Sequence, residues 1–172
     1  CRQPRRERAA WRSHRGDRHK ICNLEPVMSQ LEQNSEIKII ADSRTLRGTQ
    51  AIFGGAMPGA CLYATSDYIQ KNRWVVQALS NAIVRSLKWL QTAGPKEMLQ
   101  SVPEVYLMGD RGLYLATFNK LRESISLDGL VADDAAKMSL KVMADFDPTV
   151  KVEKIDISKA YLNTFAKQSK LQ

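Results

Sequence analysis

Asn23-Leu24-Glu25-Pro26 is the stretch whose residue types and order best fit a ligand site. A short apolar run, Ile21 to Leu24, leads into a polar corner. Pro26 then opens a helix, in the first turn where a missing N–H does no harm. Such a corner directs free backbone N–H groups and the positive end of a helix dipole past the carboxyl edge of the strand. In open α/β sheets that edge is where ligands bind. Glu25 could accept from a ligand amine there, or could simply complement the helix dipole.

Other reactive groupings are sparse. Both histidines, His14 and His19, fall in the first twenty residues. The remainder therefore offers no imidazole base, no Ser-His-Asp or Cys-His pair and no His-ligated zinc. Cys1, Cys22 and Cys61 are an odd number without a CxxC pair, so they argue for neither a disulfide framework nor a zinc ribbon. Cys22 and Cys61 are expected as small buried hydrophobes. Ser35-Glu36-Ile37-Lys38 fits SxxK but lacks the partner motifs of that chemistry. Asp145-Phe146-Asp147 reads as a helix end and turn, because no third acid lies close in sequence. Gly54-Gly55 and Gly109-Asp110-Arg111-Gly112 are glycine turns without the P-loop lysine and hydroxyl. No catalytic residue, metal site or cofactor is expected.

The elements that must position the Asn23–Pro26 corner read as strands early and helices late. Ile21–Leu24, Ile37–Ala41 and Ala60–Ala64 are strand-like, and Ala51–Phe53 extends a strand. Asp42 to Gln50 reads as loop. Helices are expected from Pro26 to Asn34, Ser66–Lys71, Arg73–Thr92, Lys96–Ser101, Arg111–Ser124 and Asp133–Phe146, with a terminal helix capped by Ser158. Met98, Met108, Met138 and Met143 are expected as core filler, and Trp74 and Trp89 as packing residues. The class is α/β, rich in helix and poor in strands, and two or three strands make a poor sheet alone.

The 172 residues carry a formal net charge of +8, with 44% hydrophobic and 26% charged residues, which is globular composition. The charge is uneven. Residues 1–20 hold eight basic side chains against Glu7 and Asp17, a net +6. The other residues hold 18 basic and 16 acidic groups, a net +2. The basic head has no aromatic interleaving and no apolar period, so nucleic acid is not expected as a partner. No apolar run reaches the roughly 20 residues of a membrane span, and the head lacks the apolar core of a signal peptide.

The serial wording of residues 21–172 is similar to ABC-transporter substrate-binding proteins of the nitrate/sulfonate/taurine type. The resemblance lies in Ile21-Cys22-Asn23-Leu24-Glu25-Pro26-Val27, then Ile39-Ile40-Ala41-Asp42-Ser43-Arg44-Thr45, then Gly54-Gly55-Ala56-Met57-Pro58. It continues through Leu62-Tyr63-Ala64-Thr65-Ser66-Asp67-Tyr68-Ile69-Gln70-Lys71-Asn72 to Ala78-Leu79 and Lys88-Trp89-Leu90. The pyrimidine synthases of thiamine biosynthesis share that fold. The resemblance implies the C-terminal part of a two-lobed, type II periplasmic-binding-protein-like fold. Residues 21–52 would end the second lobe, 53–59 would form the crossover hinge, and 60–172 would complete the first lobe.

Asn23, Glu25, Arg44, Thr45, Gly54 and Gly55 would then lie at or near the solute cleft, with the Arg44 fork suited to a sulfonate or carboxylate. The partners implied are a small organic or oxyanion solute and a membrane permease, and the location is extracytoplasmic. Residues 1–20 depart from the family's wording: Arg18-His19-Lys20 stand where members carry a hydrophobic lead-in. The change at Ile21 from an arginine-rich head is what a shifted frame over GC-rich codons produces. The chain reads as a fragment, with its strand edges unpaired and prone to association. Two rivals stay open: a thiamine-pyrimidine synthase-like enzyme, which needs a nucleophile or His in the cleft, and a helical interaction module with a basic arm.

Overall fold

The computed structural model describes residues 21–107 and 109–169. Eight α-helices follow one another among them: α1 (Val27–Gln33), α2 (Leu46–Phe53), α3 (Ser66–Lys71), α4 (Arg73–Thr92), α5 (Pro95–Ser101), α6 (Arg111–Leu121), α7 (Asp133–Phe146) and α8 (Thr164–Lys167). Short 3₁₀ turns cover Glu104–Leu107, Arg122–Ser124, Val152–Lys154 and Ile157–Lys159. No β-strand forms among the described residues, so the α/β class expected from the sequence is wrong for them.

The correction has a physical cause. Ile21–Leu24, Ile37–Ala41 and Ala60–Ala64 carry strand-type residues, but a strand exists only when a second chain segment takes its N–H and C=O groups. No described segment does so. The side chains alternate between half-buried Ile37 and Ile39 and exposed Lys38 and Ile40, as in a strand with one covered face. The expected cover for Cys22 and Cys61 is also missing, and both thiols are exposed.

Ala51–Phe53 fails as a strand for another reason. Thr45 caps α2 by accepting from the Gly48 N–H at 3.0 Å, and Gly54 ends the helix in the left-handed region at φ 83°. The pair brackets eight residues with standard helix start and stop chemistry, which outweighs the β-branched character of Ile52.

The long helix forms where the sequence places it. Val76 and Val84 are buried along one side of α4, and the Cα of Gly129 lies so close that an added Cβ would sit 3.3 Å from Val84. Gln77 donates through Nε2 to the Phe165 carbonyl at 2.9 Å, tying α8 to the same side. At the far end, Ala93, Met98 and Phe118 form a small core with Leu90, Val102, Tyr114, Leu115 and Ile125 around it. Arg122 closes that core. Its guanidinium donates to the carbonyls of Gln91 and Ala93, each at 2.8 Å, and lies 4.8 Å from the Phe118 ring centroid. It thus satisfies backbone acceptors that the end of α4 leaves open.

The smaller helices carry local signals. Asp110 caps α6 by accepting from the Leu113 N–H at 2.8 Å. Thr65, one residue before the expected Ser66, caps α3. Glu97 reaches back to the Gly94 N–H at 2.8 Å ahead of α5. Asp133–Phe146 takes the expected bounds. The terminal segment is shorter than expected, a 3₁₀ turn at Ile157–Lys159 and one turn of helix at Thr164–Lys167. Of the methionines expected in the core, Met98 is buried and Met143 exposed, while Met108 lies outside the described residues. Trp74, expected to pack, is also exposed. No helix is long and apolar enough to cross a membrane among the described residues.

Candidate functional site

Arg44 organises the corner that the sequence singles out. Its Nε donates to Asp42 Oδ1 at 2.8 Å and its Nη2 to Asp42 Oδ2 at 2.6 Å, a bidentate fork across two residues. Nη1 pairs with Glu25 Oε1, 19 residues earlier in the chain. Nη2 also reaches Glu32 Oε2 at 3.2 Å, at the end of α1. From the other side Lys120, near the end of α6, approaches Glu32 at 3.6 Å and Asp42 at 3.8 Å. Ser124 Oγ donates to the Arg44 carbonyl at 2.7 Å. Three carboxylates thus face two cations, and the segments 25–32, 42–45 and 120–124 are held at one place.

The electrostatics follow from that placement. Arg44 is 12% exposed and Glu25 10% exposed at the side chain. The guanidinium beside Asp42 holds its carboxyl at about 2, below the ordinary 3.8, chiefly through the side-chain hydrogen bonds and against a smaller opposing cost of burial. The same carboxylates, Asp42 first, push the Arg44 pKa further up. Asp42 and Arg44 are therefore both ionised at neutral pH.

The sequence-derived site residues divide on this geometry. Glu25 and Arg44 meet directly, with Thr45 next to Arg44 and Asn23 two residues before Glu25. Asn23 is exposed, its Oδ1 accepting from the Leu24 N–H at 2.8 Å. Glu25 accepts from the Ser29 N–H at 3.1 Å through its second oxygen. Thr45 spends its hydroxyl oxygen on the α2 cap. Gly54 and Gly55 lie apart from this corner, beside α7, where a Cβ on Gly55 would come 2.9 Å from Met138 Cε. Of the residues 53–59, where a crossover is expected, Phe53 ends α2 and 54–59 are irregular.

Four residues of the corner went unnoticed in the sequence: Asp42, Glu32, Lys120 and Gly48. An added Cβ at Gly48 would fall 1.7 Å from the Asp42 carbonyl oxygen, so only glycine lets α2 start against the Asp42 backbone. Asp42-Ser43-Arg44 carried a usable signal, since an acid two residues before an arginine can form such a fork. Glu32 and Lys120 carried none, because their approach depends on how α1 packs on α6. Elsewhere, the chain end of α7 reads as expected: Asp147 accepts from the Thr149 N–H and hydroxyl rather than facing Asp145. No cluster of three metal-ligating side chains occurs among the described residues.

The comparisons with known proteins bear on this geometry through its backbone. No protein-family model matches the chain, and no curated protein matches it. A solved structure does. The chain is similar to a protein of Bordetella bronchiseptica RB50, at 44% identity and a TM-score of 0.81. The match covers 84% of this chain and 46% of that one. The match therefore spans less than half the length of that relative.

Proposed function

We propose that the chain is part of the solute-binding component of an ABC importer, for a small organic or oxyanion solute of the nitrate, sulfonate and taurine class. The observation that carries this reading is the meeting of Glu25 with Arg44 beside the exposed Asn23. Residues that the family resemblance assigns to a cleft from two separate stretches come together at one polar corner. The reading is also supported by the serial wording of residues 21–172 and by a relative of which the match covers only 46%, which leaves polypeptide to complete a cleft.

The charge of the corner refines the solute. Arg44 has Nε and both Nη groups engaged by carboxylates, so it acts as a clamp rather than as an open anion fork. The corner keeps one more acid than base. It favours the amine end of a zwitterionic amino-sulfonate such as taurine over bare nitrate. Asn23 offers both an amide donor and an acceptor to such a ligand. Binding would proceed by closure around the solute with no covalent chemistry.

The test joins this chain to the portion of the Bordetella protein outside the match and follows thermal unfolding with taurine, an alkanesulfonate and nitrate. The expected outcome is a rise in Tm with taurine that Asn23→Ala reduces. Stabilisation by none of the three would overturn the reading. A taurine effect unchanged in Asn23→Ala would remove this corner from the site.

A further inference from the structure

The early part of the chain is attached to the later helices by very little. Between residues 21 and 64 one side chain is buried, Leu31 of α1. The other buried side chains lie from Val76 onward. α2, which follows the polar corner, buries none. Among the described residues, the polar contacts from 21–64 to the rest of the chain fall on one stretch at the end of α6. Lys120 stands 3.6 Å from Glu32 and 3.8 Å from Asp42, and the Ser124 hydroxyl donates to the Arg44 carbonyl at 2.7 Å.

The ties inside the early segment are closer. Arg44 pairs with Glu25, Glu32 and Asp42, all within residues 25–45, and its fork on Asp42 is bidentate at 2.8 and 2.6 Å. A bidentate guanidinium clamp, 12% exposed, outlasts the long contacts of a lysine that is 40% exposed. The segment is thus tied to itself more firmly than to α6. Such a unit opens as a whole before its own fold is lost.

We propose that residues 25–45 form a strap that lifts from α6 as one body, with Arg44 as its internal clamp and Lys120 and Ser124 as its clasp. Leu113, Thr117 and Lys120 share one face of α6 by their helical spacing. α1 lies along that face: Pro26 and Gln30 border the same small cleft as Leu113, and Glu32 lies beside Lys120. Thr117 falls between these two contacts and is buried. Lifting of the strap uncovers Thr117, whereas Val84 on α4 stays covered. The opening concerns how the polar corner is attached, so it stands whether or not a solute binds.

Labelling of buried thiols tests it in the full chain. Thr117→Cys and Val84→Cys are made singly, each with and without the pair Lys120→Gln and Ser124→Ala, which cuts the clasp and leaves Arg44 in place. Rates are read by mass spectrometry on the α6 and α4 peptides, so that the exposed Cys22 and Cys61 do not interfere. The strap predicts labelling at position 117 at least about tenfold faster than at position 84. Cutting the clasp should speed position 117 at least about fivefold more and leave position 84 unchanged. Equal rates at the two positions, or equal acceleration at both, would overturn the strap, since the chain would then open only as a whole. A rate at position 117 indifferent to the clasp pair would overturn it as well. Amide exchange in the unsubstituted chain checks the same point without any substitution: α1 amides should exchange at least about tenfold faster than those of residues 76–87, and a common rate would contradict the strap.

Discussion

At the residue scale, one arginine decides what the polar corner can do. Arg44 draws Glu25, Glu32 and Asp42 to itself, and Lys120 offsets one of the two excess negative charges. Asp42 titrates at about 2 in the folded chain and near 3.8 when unfolded, so the folded state binds fewer protons between those values. The stability from this pair is therefore present in full above pH 4 and is lost as the pH falls from about 4 to about 2. Solvent screening at a partly open site keeps it to roughly 1 kcal/mol. Acid titration followed by circular dichroism should show that loss in the wild type and a shallower acid slope in Asp42→Asn. Gly48→Ala should cost more, about 2 kcal/mol, because the new Cβ has only the Asp42 carbonyl to displace. Urea unfolding measures it, and a loss no larger than about 0.5 kcal/mol would show that the Asp42 backbone gives way freely.

At the element scale, the helices rest on caps and on a few long side chains. Arg122 carries both the open carbonyls at the end of α4 and one face of Phe118. Arg122→Ala should lower stability by about 2 kcal/mol and Arg122→Lys by somewhat less, since a lysine reaches one carbonyl but cannot stack as a plane. Thr117 Oγ1 on α6 is buried without a hydrogen-bond partner. Thr117→Val should therefore be neutral or slightly stabilising in the same unfolding measurement, where the usual buried threonine would lose about 1 kcal/mol.

These elements differ in how plainly the sequence announces them. α4 and α7 take their bounds from local periodicity and from Gly94-Pro95 and Asp147-Pro148, so they were legible residue by residue. α2 was legible in its caps, Thr45 and Gly54, but its β-branched centre pointed to a strand. The expected strands were misread because residues such as Ile37–Ile40 state a preference for pairing, whereas pairing itself depends on a partner segment. The corner was half legible for the same reason. Asn23 and Glu25 announce themselves by position, while the joining of Glu25 to Arg44 is a product of packing between α1, the 42–45 segment and α6.

At the scale of the whole molecule, the described residues form a helical body with a thin core and much uncovered apolar surface. Leu24, Ile40, Tyr63 and Trp74 are more than three quarters exposed. Such a surface is an association liability for the chain alone. Its apparent molecular mass in light scattering should rise with concentration, and joining the unmatched Bordetella portion should remove that dependence. A chain that stays monomeric across the concentration range, with every exposed apolar side chain solvated, would contradict the need for a cover. The head at residues 1–20, where the sequence suggests a shifted frame, lies outside the described residues.

The central claim is that this chain contributes Asn23 and its clamped corner to a receptor for a small zwitterionic solute. Isothermal titration of taurine into the joined protein, wild type and Asn23→Ala side by side, addresses it most directly. The account predicts one site per chain, at least about tenfold weakened by loss of the Asn23 amide. Absence of binding in the wild type, or equal affinity in the two proteins, would contradict it.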